Sequence, residues 1–559
     1  MYTLVRHYAL LSTFVLLSAT ALFGQAGSRK APATAQVPFG DSPRLVVGIV
    51  VDQMRYDYLS RFWGQFSDDG FRRLVGEGFL ARNHHFNYAP TSTGPGHASV
   101  YTGTTPAVHG IIGNDWYDKQ SGLSVYCAGD DSVAPVGTAS DAGKNSPHRL
   151  LVSTITDQLR LHYQMRSKVI AVALKDRGAV LPGGHTANAA YWFEGGATGN
   201  WITSSYYMDQ LPDWVQRFNN SGAAAAYRKD WETLRDIDTY MESGPDNVPY
   251  EGLINGEQAP VFPHKLPELW DANGGFGLLR ITPFGNSLTT DFALEALNSE
   301  ALGADEVPDF LAISYSSTDY VGHFYGVDSK EVEDTYLRLD LDLARLLKQL
   351  DKKVGIGNYT VFLTADHGAL PVAGYLADQN LPAGNLELQG MLTRLNEFLQ
   401  YTYGDVKLVR NISNNQIFLD HDLIRNLDLS LAEVQGTLAA ELMSYDAIEA
   451  VYTATQMMQA DYTEGVPAIL QQGFNPKRSG DLLLVFPRGY VSYPPTGSTH
   501  GSPYPYDTHV PLLFFGKGIR HGNLLRRTTI PDIAPTVAAL LGIALPDGTT
   551  GEPIPEVLE

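Results

Sequence analysis

Leu45-Val46-Val47-Gly48-Ile49-Val50-Val51 runs without a polar side chain and stops at Asp52. An apolar run of this length that ends on a carboxylate reads as a strand buried on both faces of a parallel sheet. Three further runs share the pattern: Val169–Leu174 stops at Lys175, Phe310–Tyr315 leads to Asp319, and Thr360–Thr364 leads to Asp366-His367. Leu482–Phe486 and Val510–Phe515 are two more candidates, placed nearer an edge. Helical patterns lie between the runs, at Phe71–Glu77, Ser153–Gln164, Thr289–Asn298, Ser329–Leu350 and Ile530–Leu541. This alternation predicts an α/β fold, a doubly wound and mostly parallel central sheet flanked by helices. Ligands of such sheets bind beyond the carboxyl ends of the strands, where these charged residues lie.

Around that frame, two long intervals break the rhythm and read as inserted cap regions, 185–288 and 376–480, the second with helix-like Met391–Tyr403 and Leu431–Ser444. The whole of 44–559 is then expected to be one catalytic domain. Ahead of it, Arg6 and His7 precede an apolar run from Tyr8 to Phe23 and the small-residue pattern Gly24-Gln25-Ala26, so residues 1–26 read as an export signal. Residues 27–43, rich in Ala, Pro, Ser and Gly, read as a flexible lead-in. No later stretch approaches a membrane span, and a periplasmic or secreted protein is expected, taken as a monomer. The single cysteine, Cys127, excludes an intrachain disulfide framework and reads as a packed thiol. With 40 Lys+Arg against 61 Asp+Glu, the net charge of −21 excludes binding to a nucleic-acid scaffold, but a metal site can reverse the sign locally for a small phosphorylated substrate.

Several segments could carry chemistry. In Thr91-Ser92-Thr93-Gly94-Pro95-Gly96-His97, Pro95 suits a first helical turn, with Thr93 or Gly94 as the cap, so a hydroxyl would stand where backbone N–H groups favour an anion. Asp319 and His323 are four apart and share one face of a helical turn, close enough to grip one cation. Asp366-His367 follows a strand directly, and Asp52 ends the most apolar one, where a carboxylate is costly unless paired or on a metal. Thr499-His500-Gly501, with Asp507-Thr508-His509 beyond, offers further imidazole in a Gly/Pro-rich loop. His84, His85, His148, His264, His421 and His521 show no ligand spacing and read as structural or solvated. Each segment alone has an ordinary structural explanation. Together they offer three carboxylates and three histidines at strand ends, enough for two zinc ions with mixed N/O ligands, and a metal is what turns a threonine hydroxyl into a nucleophile.

The order Asp52, Thr93-x-Pro95-x-His97, Asp319-x-x-x-His323, Asp366-His367, His500-Gly501 resembles the alkaline phosphatase superfamily, in the threonine-nucleophile branch that includes the nucleotide pyrophosphatase/phosphodiesterases. Gly113-Asn114-Asp115-Trp116-Tyr117 and Leu174-Lys175-Asp176-Arg177-Gly178 look like the PafA-like bacterial alkaline phosphatases within it. The resemblance implies a zinc-dependent phosphate monoesterase with two Zn²⁺ per subunit and a phosphothreonine intermediate. It implies Asp52, Asp366 and His367 on one zinc, with Thr93 as nucleophile and ligand there, and Asp319, His323 and His500 on the other. Asn114 and the Gly94 backbone N–H would each donate to a phosphoryl oxygen, and Lys175 and Arg177 would meet the remaining one. Two cations at that oxygen select the monoester dianion, because a diester carries an ester group in its place. A phosphodiesterase on the same scaffold, or a phosphate-binding protein without turnover, is the alternative to be tested.

Overall fold

The computed structural model describes residues 42–559. The expected export signal, and the lead-in up to residue 41, lie outside the described residues. The central sheet has ten strands: β1 (Leu45–Val51), β2 (Phe79–Ala81), β3 (Pro135–Val136), β4 (Val169–Ala173), β5 (Ala189–Phe193), β6 (Trp201–Ser204), β7 (Asp309–Tyr315), β8 (Tyr359–Thr364), β9 (Leu512–Gly516) and β10 (Gly522–Leu524). Their spatial order is β10-β2-β9-β8-β1-β7-β4-β5-β6-β3. The sheet is mixed. Its centre, β8-β1-β7-β4-β5, is parallel throughout, whereas β9 is antiparallel to β8 and β2, and β6 is antiparallel to β5 and β3.

Every residue of β1, β4, β7 and β8 is buried, as the unbroken apolar runs require of strands covered on both faces. Helix Asp176–Gly183 packs on β4, β5 and β7 and against helix Thr93–Thr102. Helix Phe284–Ser299 packs on β4 and β7 and against the long helix Lys330–Leu350. The six aliphatic side chains of β1 are 0% exposed, and each is worth roughly 2 kcal/mol of burial, so a register slip that moved Asp52 would be heavily penalised.

Two expectations need correction. Leu482–Val485 does not join the central sheet; it lies in a second, four-stranded antiparallel sheet with Val409–Ser413, Gln416–Leu419 and Ala450–Thr453. Helices Leu388–Tyr403 and Leu431–Leu442 supply Leu395, Leu399, Val434 and Leu438 to a separate hydrophobic cluster with Ile417, Leu482 and Leu484. The interval 185–288 opens with β5 and β6 of the central sheet, so the departure from the α/β rhythm begins only after Ser204.

Candidate active site

Neighbouring strands lie about 4.8 Å apart, so residues just past the carboxyl ends of β8, β1, β7 and β4 are delivered side by side. Asp366 and His367 follow β8, Asp52 follows β1, Asp319 and His323 lie on helix Ser317–Tyr325 after β7, and Lys175 and Arg177 flank the start of helix Asp176–Gly183 after β4. His500 arrives from a loop. These residues converge as two groups whose candidate ligand atoms lie within 4.8 Å of one another: Asp52, Asp366 and His367, and Asp319, His323 and His500. The groups adjoin, because the His367 and His500 rings stack with centroids 3.5 Å apart.

The first group is completely buried. His367 Nε2 lies 3.6 Å from Asp52 Oδ1 and 3.7 Å from Asp366 Oδ2, and none of these three atoms has a hydrogen-bond partner. Burying unpartnered carboxylate oxygens opposite an unpartnered imidazole nitrogen is costly unless a cation joins them. In the second group, His323 Nε2 is 3.1 Å and His500 Nε2 3.7 Å from Asp319 Oδ1. All three imidazoles turn Nδ1 to a backbone carbonyl: His367 to Gly368 (2.9 Å), His323 to Ser498 (2.6 Å) and His500 to Thr91 (2.7 Å). That bond fixes the tautomer and leaves Nε2 as a lone pair, the usual arrangement of a ligating histidine. Burial holds His500 neutral, with its pKa down at about 3, and burial together with His500 lowers His367. Burial also lifts Asp366 to about 7, with Asp319 adding to the rise, and burial beside Asp319 and Asp366 raises Asp52. The N/O donor sets of the two groups fit divalent cations such as zinc, and the unsatisfied atoms of the first group add to that fit.

Thr93 is the first residue of helix Thr93–Thr102; the cap is Ser92, not Thr93 or Gly94 as the sequence suggested, and Ser92 makes no side-chain capping bond. The Thr93 hydroxyl faces the side chains of Lys175 and Arg177. Lys175 Nζ and Arg177 Nη2 are each 3.4 Å from Thr93 Oγ1. Lys175 Nζ also links the two groups, 2.7 Å from Asp52 Oδ2 and 2.5 Å from Asp319 Oδ2; burial opposes its charge, but the two carboxylates win and its pKa rises. Gly96 lets the helix press on the first group, since a Cβ there would fall 2.2 Å from the Asp366 carbonyl oxygen.

Asn114 meets the same helix: its Oδ1 accepts the Gly94 N–H at 2.7 Å. The Gly94 donor, expected to serve a phosphoryl oxygen, is therefore engaged by Asn114, and the bond leaves the amide Nδ2 as the group Asn114 can offer. The remaining loop residues fall outside the cluster. His509 stacks on Tyr56 and His85, and Asp507 accepts the Ser502 N–H at 2.7 Å, bracing the loop that carries His500. Cys127 is free and buried.

Gln53 and Tyr126 escape the sequence reading, and His97 enters it only as the last residue of the Thr93-x-Pro95-x-His97 motif, without a role. Gln53, in the left-handed region at φ 65°, donates its backbone N–H to Asp366 Oδ1 (3.1 Å) and its amide to Asp319 Oδ1 (2.8 Å), so it touches both groups. His97 bonds the Thr93 carbonyl (2.9 Å) and Ser314 Oγ (2.9 Å) beneath the helix start. Tyr126 hydrogen-bonds Asp176 and accepts from Arg177 Nη1 at 3.2 Å, orienting the guanidinium. Nothing in the spacing marks Gln53 or Tyr126.

Residues 46–509 match the family model described as type I phosphodiesterase / nucleotide pyrophosphatase, and the chain belongs to that family. Within it the chain groups with the PafA-like bacterial alkaline phosphatases. It is 42% identical over 547 residues to alkaline phosphatase PafA of Elizabethkingia meningoseptica, covering 97% of this chain and 98% of that one. It is 44% identical over 518 residues to alkaline phosphatase PhoV of Synechococcus elongatus, covering 92% and 93%. A Myroides odoratus protein named calcium-transporting ATPase is 45% identical over 528 residues, covering 93% and 95%. The crystal structure of wild-type PafA superposes with a TM-score of 0.89 at 43% identity, over 93% of this chain and 99% of that one.

Proposed function

We propose that the chain is an exported phosphate monoester hydrolase of the alkaline phosphatase type, working at two zinc ions through Thr93, with 44–559 as its catalytic domain. The observation that carries this reading is the pair of cationic side chains, Lys175 and Arg177, each 3.4 Å from the Thr93 hydroxyl. A monoester dianion presents a third charged oxygen to such a pair, and a diester does not. The alkaline phosphatase names of the PafA and PhoV relatives favour the same choice over the diesterase activity in the family's name. A solved PafA variant alters one threonine, one asparagine, one lysine and one arginine, the residue types of Thr93, Asn114, Lys175 and Arg177. The transport named for the Myroides relative finds no support in this site, and among the described residues no helix is long and apolar enough to cross a membrane.

Asp52, Asp366 and His367 would hold one ion beside Thr93, and Asp319, His323 and His500 the other. Bound there, the ions supply Lewis acidity, favouring the ionised hydroxyl and offsetting charge on the attacking and leaving oxygens. Thr93 Oγ1 attacks phosphorus in line and the leaving alcohol departs, so the phosphoryl group passes to the threonine. Asn114 Nδ2 and Arg177 hold nonbridging oxygens, and the positive end of the dipole of helix Thr93–Thr102 favours the anion beside it. Water then releases inorganic phosphate and restores the hydroxyl. The transition state of phosphoryl transfer is loose, so most of the rate comes from positioning and charge.

The test compares kcat/KM for an aryl phosphate monoester and a matched diester. The Lys175→Ala/Arg177→Ala double variant should lose about 10²- to 10⁴-fold on the monoester, the scale of two charge-assisted hydrogen bonds, and far less on the diester. Equal losses, or a wild-type preference for the diester, would overturn the monoesterase reading. Thr93→Ala should lose turnover while keeping both ions; an active variant would remove Thr93 as nucleophile.

A further inference from the structure

The second sheet reaches the active site at the turn between Val409–Ser413 and Gln416–Leu419. Asn414 and Asn415 form this two-residue loop with φ 53° and 57°, the left-handed pair that a tight type I′ hairpin turn demands. Asn415 ties the tip to its own sheet, its carbonyl accepting the Leu484 N–H at 2.8 Å. Asn414 points the other way, and its Nδ2 donates to the Asp115 carbonyl at 2.6 Å. The approach is close enough that a Cβ on Gly113 would fall 2.6 Å from that nitrogen.

Asp115 opens a two-stranded ribbon, Asp115–Asp118 with Leu123–Tyr126, in which Asp115 pairs with Tyr126. Both phosphate-facing functions hang from this end. Asn114 precedes Asp115, and its own carbonyl accepts the Cys127 N–H at 2.8 Å. Tyr126 carries the hydroxyl that meets Arg177 and Asp176. Further along the ribbon, Tyr117 meets Phe418 of the second sheet edge to face, with centroids 5.4 Å apart. Two contacts thus join the second sheet to a ribbon whose end presents Asn114 directly and Arg177 through Tyr126.

We propose that Asn414 is a positioning residue and that the second sheet braces the ribbon so that the Asn114 amide and the Arg177 guanidinium are held in place for the phosphoryl oxygens. This rests on the roles given to Asn114 and Arg177 above. In this role Asn414 acts through Asp115, whose neighbour Asn114 meets the phosphoryl group.

Asn414→Gly is the discriminating variant, because glycine keeps the left-handed turn and removes only the amide. Asn414→Asp serves as a second variant that keeps the side-chain size but loses the donor. Each should lower kcat/KM for an aryl monoester and raise the inhibition constant for inorganic phosphate by about three- to tenfold, the scale of one neutral hydrogen bond, with metal content unchanged. Asn415→Gly, which alters the turn without touching Asp115, should behave as wild type. In an Asn114→Ala background the Asn414→Gly penalty should largely vanish, since the group being positioned is gone. A penalty of the same size in both backgrounds, or no effect in the wild-type background, would overturn the proposal. If Asn114→Ala itself leaves phosphate inhibition unchanged, the reading of Asn114 fails instead, and the two failures are told apart.

Discussion

His264 with Glu257 and Glu331, and His367 with Asp52 and Asp366, have the same makeup: one imidazole and two carboxylates, held away from solvent. Their wiring is opposite. His264 directs Nδ1 to Glu257 at 2.8 Å and Nε2 to Glu331 at 3.2 Å, so the cluster closes its charge internally and leaves only Glu331 Oε2 without a partner. Burial pulls His264 down, but the bonds to both carboxylates overcome it and lift its pKa to about 9. His367 spends Nδ1 on a backbone carbonyl, keeps Nε2 free, and faces two carboxylate oxygens that are equally unpartnered. What separates this ion cluster from the candidate metal group is therefore the partner of Nδ1, a carboxylate at His264 and a backbone carbonyl at His367, not the residue types in the group.

The contrast breaks if the two histidines behave alike on substitution. His367→Ala should lower kcat/KM by about 10³-fold, since a Lewis-acid contribution of several kcal/mol changes the rate tenfold for every 1.36 kcal/mol, and bound metal should fall. His264→Ala should leave metal content and the activity of the folded protein near wild type. Its cost, read by chemical denaturation, should be about 3–5 kcal/mol of stability, the usual result of removing one partner from a buried ionic cluster. Loss of metal from the His264 variant would erase the distinction.

A smaller effect sharpens it. The folded-state pKa of His264 lies above the unfolded value of 6.5, so its stabilisation is complete below pH 6.5 and is lost as pH rises through about 9. Denaturation should reveal a decline of about 2–3 kcal/mol across that window, absent in His264→Gln. A flat wild-type profile would show that His264 does not carry its proton in the fold.

The strand-end residues of the site were legible because their setting is local. Asp52, Lys175 and Asp366-His367 each interrupt an apolar run, and Asp319 with His323 shares one helix face, so register and period deliver them to one edge. His500 belongs to an irregular loop and became legible only in combination with the others. Thr93 was read as a cap one position from where the helix starts, because Ser92 and Thr93 are equally good candidates in sequence. An apolar run says that a strand is buried but not in which sheet, so Leu482–Val485 was drawn to the wrong one. Gln53 and Tyr126 have no residue-type signature because their roles depend on a left-handed backbone and a hairpin pairing, and His97, visible in its motif, has a role on the helix underside that the motif does not state.

Crystals of the metal-loaded protein, measured on either side of the zinc absorption edge, test the site most directly. Two anomalous peaks per chain are expected, one bounded by Asp52, Asp366 and His367 and the other by Asp319, His323 and His500, with Thr93 Oγ1 beside the first. Peaks elsewhere, or a pair of groups that take up no ion while the enzyme turns over, would contradict it.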